Sequence, residues 1–198
     1  QTCALPILDN ARFVLIPAFY ALAPEMHLRA TLKAGDAVVS RVTRPAANGL
    51  SCELPIEEPR PWSPDDPFLY DLTLEVLVGE EVVDTVQSYA GLRKVHTEGN
   101  QVYLNNEPIY QRLVLDQGFY PDGIWTAPTD EALKRDIELS KRAGFNGARL
   151  HQKVFEPRFH YWADRLGYLT WGESSSWGLD LKDPVSARNF LAEWREIV

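Results

Sequence analysis

From Ile109 onward the chain alternates short apolar runs with segments that carry both end signals of a helix, and it does so three times. "IYQRLVLDQ" reads as a buried strand ending in polar residues. In "PTDEALKRDIELSKRAG", Thr129 stands at the N-cap, Asp130 and Glu131 lie in the first turn, Lys141 and Arg142 in the last, and Gly144 just beyond. Strand "FNGARL" leads to helix "PRFHYWADRLG", with Pro157 in its first turn and Gly167 at its end. Strand "YLTW" leads to "DPVSARNFLAEWREIV", with Asp183 as cap and Pro184 at the first helical position. Repeated strand–helix units require parallel strands joined by crossovers, which leaves a doubly wound sheet or the beginning of a (β/α)8 barrel. A complete barrel takes roughly 250 residues, and only about 90 follow Pro108. The barrel reading therefore carries the expectation that the chain is truncated at Val198, inside a helix.

The first half follows a different grammar. Between Arg12 and Tyr89 short β-like runs ("ARFVLIP", "MHLRATLK", "AVVSRVT", "LSCELPI", "LYDLTLEVLV", "EVVDTVQSY") are separated by turn formers such as "KAGD", "AANG" and "VGEE". In "YDLTLEVLV" the two-residue period sets Leu72, Leu74, Val76 and Val78 on one face against Asp71, Thr73, Glu75 and Leu77 on the other. So many short strands in about 80 residues predict a β-sandwich. "NNEP" then predicts a turn between two extended runs. At the start, "QTCALPI" reads as the in-frame translation of a sequencing adapter, with an ordinary strand as the alternative, so residues 1–7 are set apart. Cys3 and Cys52 have neither metal-knuckle spacing nor the density of a disulfide scaffold, and Cys52 is expected to be a buried strand residue.

The bulk numbers narrow the function. A 198-residue chain with 45% hydrophobic and 11% aromatic residues can bury packed cores. A formal charge of −8 without a Lys/Arg cluster argues against nucleic acid and against an anionic membrane surface as partners. "FVLIPAFYALAP" is too short to span a bilayer and is interrupted by proline. The first βα turn, "DQGFYPDGIWTAP", is long and aromatic rather than Gly-x-Gly-x-x-Gly, so no dinucleotide, and no other cofactor, is called for.

In either α/β architecture ligands sit at the carboxyl ends of the strands. Those ends deliver Asp116 and Gln117 from the first strand, Arg149, His151, Gln152 and Lys153 from the second, and Trp171, Glu173 and then Trp177 from the third. Aromatics with carboxylates and amides suit a sugar: apolar ring faces stack while hydroxyls hydrogen-bond. Plainer roles stand beside these. Arg149 could pair with a carboxylate within the fold, Glu173 could cap a helix or lie solvated, and Asp116 could open an Asx turn ahead of Gly118. Phe159, Tyr161 and Trp162 read as packing.

The runs "PFLYDLTLEV" and "VDTVQSYAGLRKV", and the long stretch from "VYLNNEPIYQRLVLDQGFYPDG" through "RLHQKVFEPRFHYWADRLGYLTWGE", resemble glycoside hydrolase family 2, the β-galactosidase and β-glucuronidase group. The resemblance implies an immunoglobulin-like β-sandwich over residues 8–92, followed over residues 93–198 by the first three βα units of a truncated TIM barrel. It implies a retaining β-glycosidase acting on a β-glycoside carbohydrate, and leaves room for a homo-oligomeric parent. The family's acid/base glutamate follows strand four in an Asn-Glu pair and its nucleophile follows a late strand, so neither catalytic residue is expected among these units. Retaining hydrolysis needs two carboxyl groups roughly 5–5.5 Å apart, which makes Asp116 with Glu173 a tempting pair. The resemblance instead sets both in the substrate-binding floor with Gln117 and His151, and the strand-end positions of Arg149, Trp171 and Trp177 add these three as expected substrate-binding residues. Two departures matter. The familiar β-galactosidases carry a differently spaced Arg-x-x-His after strand two, and a Glu-x-His metal motif where this chain reads "SSSWGLD", so neither a magnesium site nor galactose specificity is implied. The rival expectation is a non-catalytic carbohydrate-binding or scaffold module. A metal-dependent hydrolase using Asp116, His151 and Glu173 would need more histidines at the strand ends.

Overall fold

The computed structural model describes the backbone of residues 2–197 and the side chains of residues 7–197. The chain divides between Tyr110 and Gln111 into two compact units, described in turn.

The first unit is antiparallel β structure. Strands β1 (Thr2–Ile7), β2 (Arg12–Pro17) and β5 (Cys52–Pro55) form one sheet in the order β1-β2-β5. Strands β3 (Met26–Ala34), β4 (Ala37–Pro45), β6 (Tyr70–Val78) and β7 (Glu81–Ala90) form a second in the order β4-β3-β6-β7. Phe13, Leu15 and Leu54 from the smaller sheet and Leu28, Ala30, Leu32, Tyr70 and Leu72 from the larger share one core. Alternate residues of β2, β3, β5 and β6 enter it, as a half-buried strand requires. Cys52 is buried in that core as a free thiol. Residues 1–7, set apart above as adapter-derived, pair along Thr2–Ile7 with β2, and Gln1 lies outside the described residues.

Strand β6 departs from simple alternation. Leu72 and Leu74 are buried as expected, but the pairing with β7 slips by one residue between Val76 and Leu77. The extra residue of this bulge is Val83 of β7, and β6 itself keeps unbroken register with β3 through Val78. Leu77 is nonetheless 7% exposed and Val78 39%, the reverse of the burial that alternation predicts.

A small third sheet, β8 (Val95–Glu98), β9 (Gln101–Leu104) and β10 (Glu107–Pro108), has the order β10-β9-β8. Its β9–β10 turn is the expected one at "NNEP", with Asn105 at φ 54° and Asn106 at φ 68°. Successive left-handed residues define the tight hairpin turn that asparagine tolerates best among non-glycines. The Asn105 amide also accepts from Lys94 N–H at 3.1 Å and donates to the Trp62 carbonyl at 2.9 Å, so this turn is fastened to the unit's buried tryptophan.

The second unit repeats strand and helix: β11 (Leu113–Asp116), α1 (Asp130–Arg142), β12 (Gly147–Leu150), α2 (Pro157–Leu166), β13 (Leu169–Gly172) and α3 (Pro184–Ile197). The strands are parallel in the order β11-β12-β13. Helix ends follow the sequence signals. Thr129 Oγ1 accepts from Ala132 N–H at 3.1 Å, Gly167 closes α2 at φ 69°, and Asp183 accepts from the N–H groups of Val185 and Ser186. Leu133 and Ile137 of α1, Phe159 and Ala163 of α2, and Ala148 and Leu150 of β12 make a core on one face of the sheet.

The opposite face is open. Leu115, Arg149 and Trp171 are register partners across the sheet and all three side chains are exposed. Leu115, expected inside a buried strand, is 52% exposed because β11 is an edge strand whose outward face no described element of this unit covers. Helix α3 has no buried residue, and among the described residues no helix is long and apolar enough to cross a membrane.

Candidate functional site

Parallel strands aim their carboxyl ends the same way, so the loops after β11, β12 and β13 gather at one edge of the sheet. Alternation places Ala148 and Leu150 in the helix-side core and Arg149 on the open face. Just past β12, the His151 N–H donates to the Asp116 carbonyl at 2.8 Å, which prolongs the strand pairing into the loops. The His151 ring nitrogen Nδ1 meets Gln117 Nε2 at 3.1 Å. These are groups from two different strand ends brought together by parallel register.

Glu173, one residue beyond β13, is held from two sides. Arg149 forms a two-pronged ion pair with it, through Nε to Oε1 and through Nη2 to Oε2 at 3.2 Å. The Gln152 N–H donates to Oε2, also at 3.2 Å. Gln152 stands at φ 53°, a left-handed conformation rare for a residue with a side chain. That twist lets its N–H serve Glu173 while its carbonyl accepts from Ser175 Oγ at 2.7 Å. Backbone held in such a region by surrounding contacts is characteristic of functional loops. The Arg149 guanidinium holds the Glu173 carboxyl below the usual carboxylate range, against the upward push of burial and with help from the Gln152 N–H. The group is therefore an anion at neutral pH, with both oxygens engaged, and is unsuited to donate a proton.

Gln117, His151, Gln152, Lys153 and Glu173 line a cleft of about 680 Å³ together with Trp125, Ser174 and Ser175 and, from α3, Phe190 and Trp194. That volume matches a small-molecule pocket, and its lining mixes aromatic surface with convergent amide, hydroxyl, imidazole and charged groups. The Phe190 and Trp194 rings stack at 6.0 Å with an interplanar angle of 10°, giving one apolar wall.

The seven residues expected from sequence divide three ways. Gln117, His151 and Glu173 converge in the cleft, and Arg149 acts through Glu173. Asp116 takes the plainer role: its Oδ1 accepts from Gly118 N–H at 2.8 Å in an Asx turn, and it borders a separate groove with Asp136 and Tyr168. Trp171 and Trp177 are 51% and 84% exposed and do not line the cleft. Trp171 projects from the open sheet face in register with Arg149, and Trp177 lies beyond the loop segment that borders the cleft. Sequence reasoning missed Trp125, Phe190 and Trp194, and it named Gln152 and Lys153 at the end of the second strand without carrying them into the site. Lys153 is legible as a strand-end residue, and the four-residue spacing of Phe190 and Trp194 puts both rings on one side of α3. Among the described residues no group of three or more His, Cys, Asp and Glu is placed to hold a metal ion.

The chain's similarities fall on this architecture. The model of "Glycosyl hydrolases family 2" matches residues 25–93. A β-galactosidase of Staphylococcus xylosus is 29% identical over 119 residues, which covers 60% of this chain and 11% of that protein. Among solved structures, a β-glucuronidase from Ruminococcus gnavus superposes with a TM-score of 0.79 at 18% identity, covering 99% of this chain and 33% of that one. A family 2 member from Bacteroides cellulosilyticus does so with 0.71 at 24% identity, covering 82% and 23%. The chain spans between 11% and 14% of the length of the curated relatives it matches. The similarity to glycosyl hydrolases of family 2 thus falls within the antiparallel unit, and the likeness in fold continues through the βα units.

Proposed function

We propose that this stretch forms the sugar-binding floor of a retaining β-glycosidase of the β-galactosidase or β-glucuronidase kind. The antiparallel strands of residues 8–92 are its immunoglobulin-like domain, and residues 93–198 open its catalytic (β/α)8 barrel. The observation that carries the reading is the convergence of Gln117, His151 and Glu173 on one cleft from three successive strand ends. Each can hydrogen-bond a ring hydroxyl, and Trp125, Phe190 and Trp194 offer faces for the sugar's C–H surface.

The cleft binds and orients, and proton transfer and covalent attack come from elsewhere in the enzyme. The Arg149 pair that holds Glu173 as a carboxylate speaks against a role as the acid, and Asp116 is turned into its own loop. Hydrogen bonds to a ring hydroxyl strengthen as the oxocarbenium-like transition state forms, so these residues affect rate as well as affinity. In the enzyme that contains this stretch, His151→Ala or Glu173→Gln should lower kcat/KM by roughly 10²–10³, the scale of one preorganised electrostatic contact. Azide should restore nothing, because it substitutes for a missing nucleophile or acid/base. A glycosyl azide formed by the Glu173→Gln or Glu173→Gly variant would overturn the assignment and make this glutamate catalytic.

A further inference from the structure

The cleft holds one cation that its own residues leave without a carboxylate partner. Lys153 follows β12 by three positions, and its ammonium donates to the carbonyls of Gly118 at 3.3 Å and Trp125 at 3.2 Å. It also lies 4.9 Å from the centre of the Phe155 ring. Gly118 makes room for it: at φ 59°, a Cβ there would stand 2.8 Å from the ammonium nitrogen. Two N–H groups are thus occupied by neutral carbonyls, and an ammonium has three. Among the described residues no carboxylate comes within ion-pair distance of Lys153; Glu173 is matched by Arg149, and Glu193 of α3 borders the cleft without pairing to it. This side chain brings to a pocket lined by hydrogen-bonding groups a positive charge that no carboxylate matches.

We propose that Lys153 is a specificity-determining residue that receives an anionic substituent, a carboxylate or a sulfate ester, on the sugar bound in this cleft. The inference rests on the sugar-binding reading above and deepens it. The anion accepts the third N–H of an ammonium already oriented by Gly118 and Trp125, which makes a charge-assisted hydrogen bond with little ordering left to do. Because the site is open to solvent, the gain is moderate and sensitive to salt.

The test titrates the 198-residue chain with methyl β-galactoside, methyl β-glucuronide and a 6-sulfated methyl β-galactoside, followed by NMR chemical shifts. The anionic glycosides should bind about tenfold more tightly than the neutral one at low salt. Their advantage should narrow at about 0.5 M NaCl. Lys153→Met should bring all three to the affinity of the neutral sugar. If circular dichroism shows that variant to be unfolded, Lys153→Gln, which can still donate to one carbonyl, replaces it with the same expectation. The tighter of the two anions names the group. Equal affinities in the parent, or an anion preference that survives loss of the charge, would overturn the assignment while leaving the sugar site standing. Binding of none of the three would overturn the sugar-binding reading itself.

Discussion

Gly147 opens the central strand of the parallel sheet, and a side chain there has nowhere to go. A Cβ at this position would stand 2.4 Å from the Leu169 carbonyl oxygen, 2.7 Å from Leu169 Cβ and 2.7 Å from a Leu113 methyl. One of the obstructing atoms is backbone, so no rotamer change relieves the contact and β13 must move away from β12. Overpacking of this kind typically costs about 1–3 kcal/mol. At a urea dependence of about 2 kcal/mol/M, a mid-range cost near 2 kcal/mol moves the unfolding midpoint down by roughly 1 M. Tryptophan fluorescence suits the assay, because Trp125, Trp162, Trp171, Trp177 and Trp194 all belong to this unit. Gly172→Ala is the matched control: it lies in the adjacent strand, its Cβ would meet nothing within 4 Å, and it should leave the midpoint unchanged or slightly raised. The same displacement should loosen the Arg149–Glu173 pair, which bridges β12 and the end of β13. An unaltered midpoint for Gly147→Ala, or an equal fall for both variants, would refute the packing argument.

Three further outcomes follow from individual contacts. Asn105→Ala deletes both hydrogen bonds that tie the β9–β10 turn to Lys94 and Trp62 and leaves a left-handed backbone without an asparagine; thermal melting should show a loss of about 1–3 kcal/mol. Thr129→Ala removes the α1 cap and should cost about 1 kcal/mol, read from the same melts. The carboxyls of Glu75, Asp66, Asp130 and Glu173 are each held below the usual range, chiefly by hydrogen bonds from Arg29, Arg60, Arg158 and Arg149. A carboxyl depressed by folding stabilises fully above its unfolded value and loses that contribution as pH falls through the folded one. Melting temperature should therefore decline as pH falls below the ordinary carboxylate range, and Glu75→Gln should shallow that decline.

Much of the architecture is written in local signals. Thr129, Gly144, Pro157, Gly167 and Asp183 mark helix ends through backbone chemistry that acts within a few residues, so they can be read without a partner element. The bulge in β7 at Val83 could not be read this way, because it arises from pairing with β6, and alternation alone did not predict that Leu77 is buried. The same distinction runs through the site. His151 and Glu173 reach the cleft from their position at strand ends, while Asp116 shares that position and yet folds back onto Gly118. Trp125 enters the cleft only because the β11–α1 loop folds over the end of β12, a long-range fact that spacing does not carry.

The most direct test of the account is where a sugar touches this chain. Backbone and side-chain NMR shifts should be followed while the chain is titrated with a methyl β-glycoside. The account predicts the largest changes at the Gln117 and Gln152 amides, the His151 imidazole and the indole N–H groups of Trp125 and Trp194, with residues before Tyr110 unmoved. Shifts confined to the strands of the first unit would contradict it and make the sandwich itself the carbohydrate-binding module.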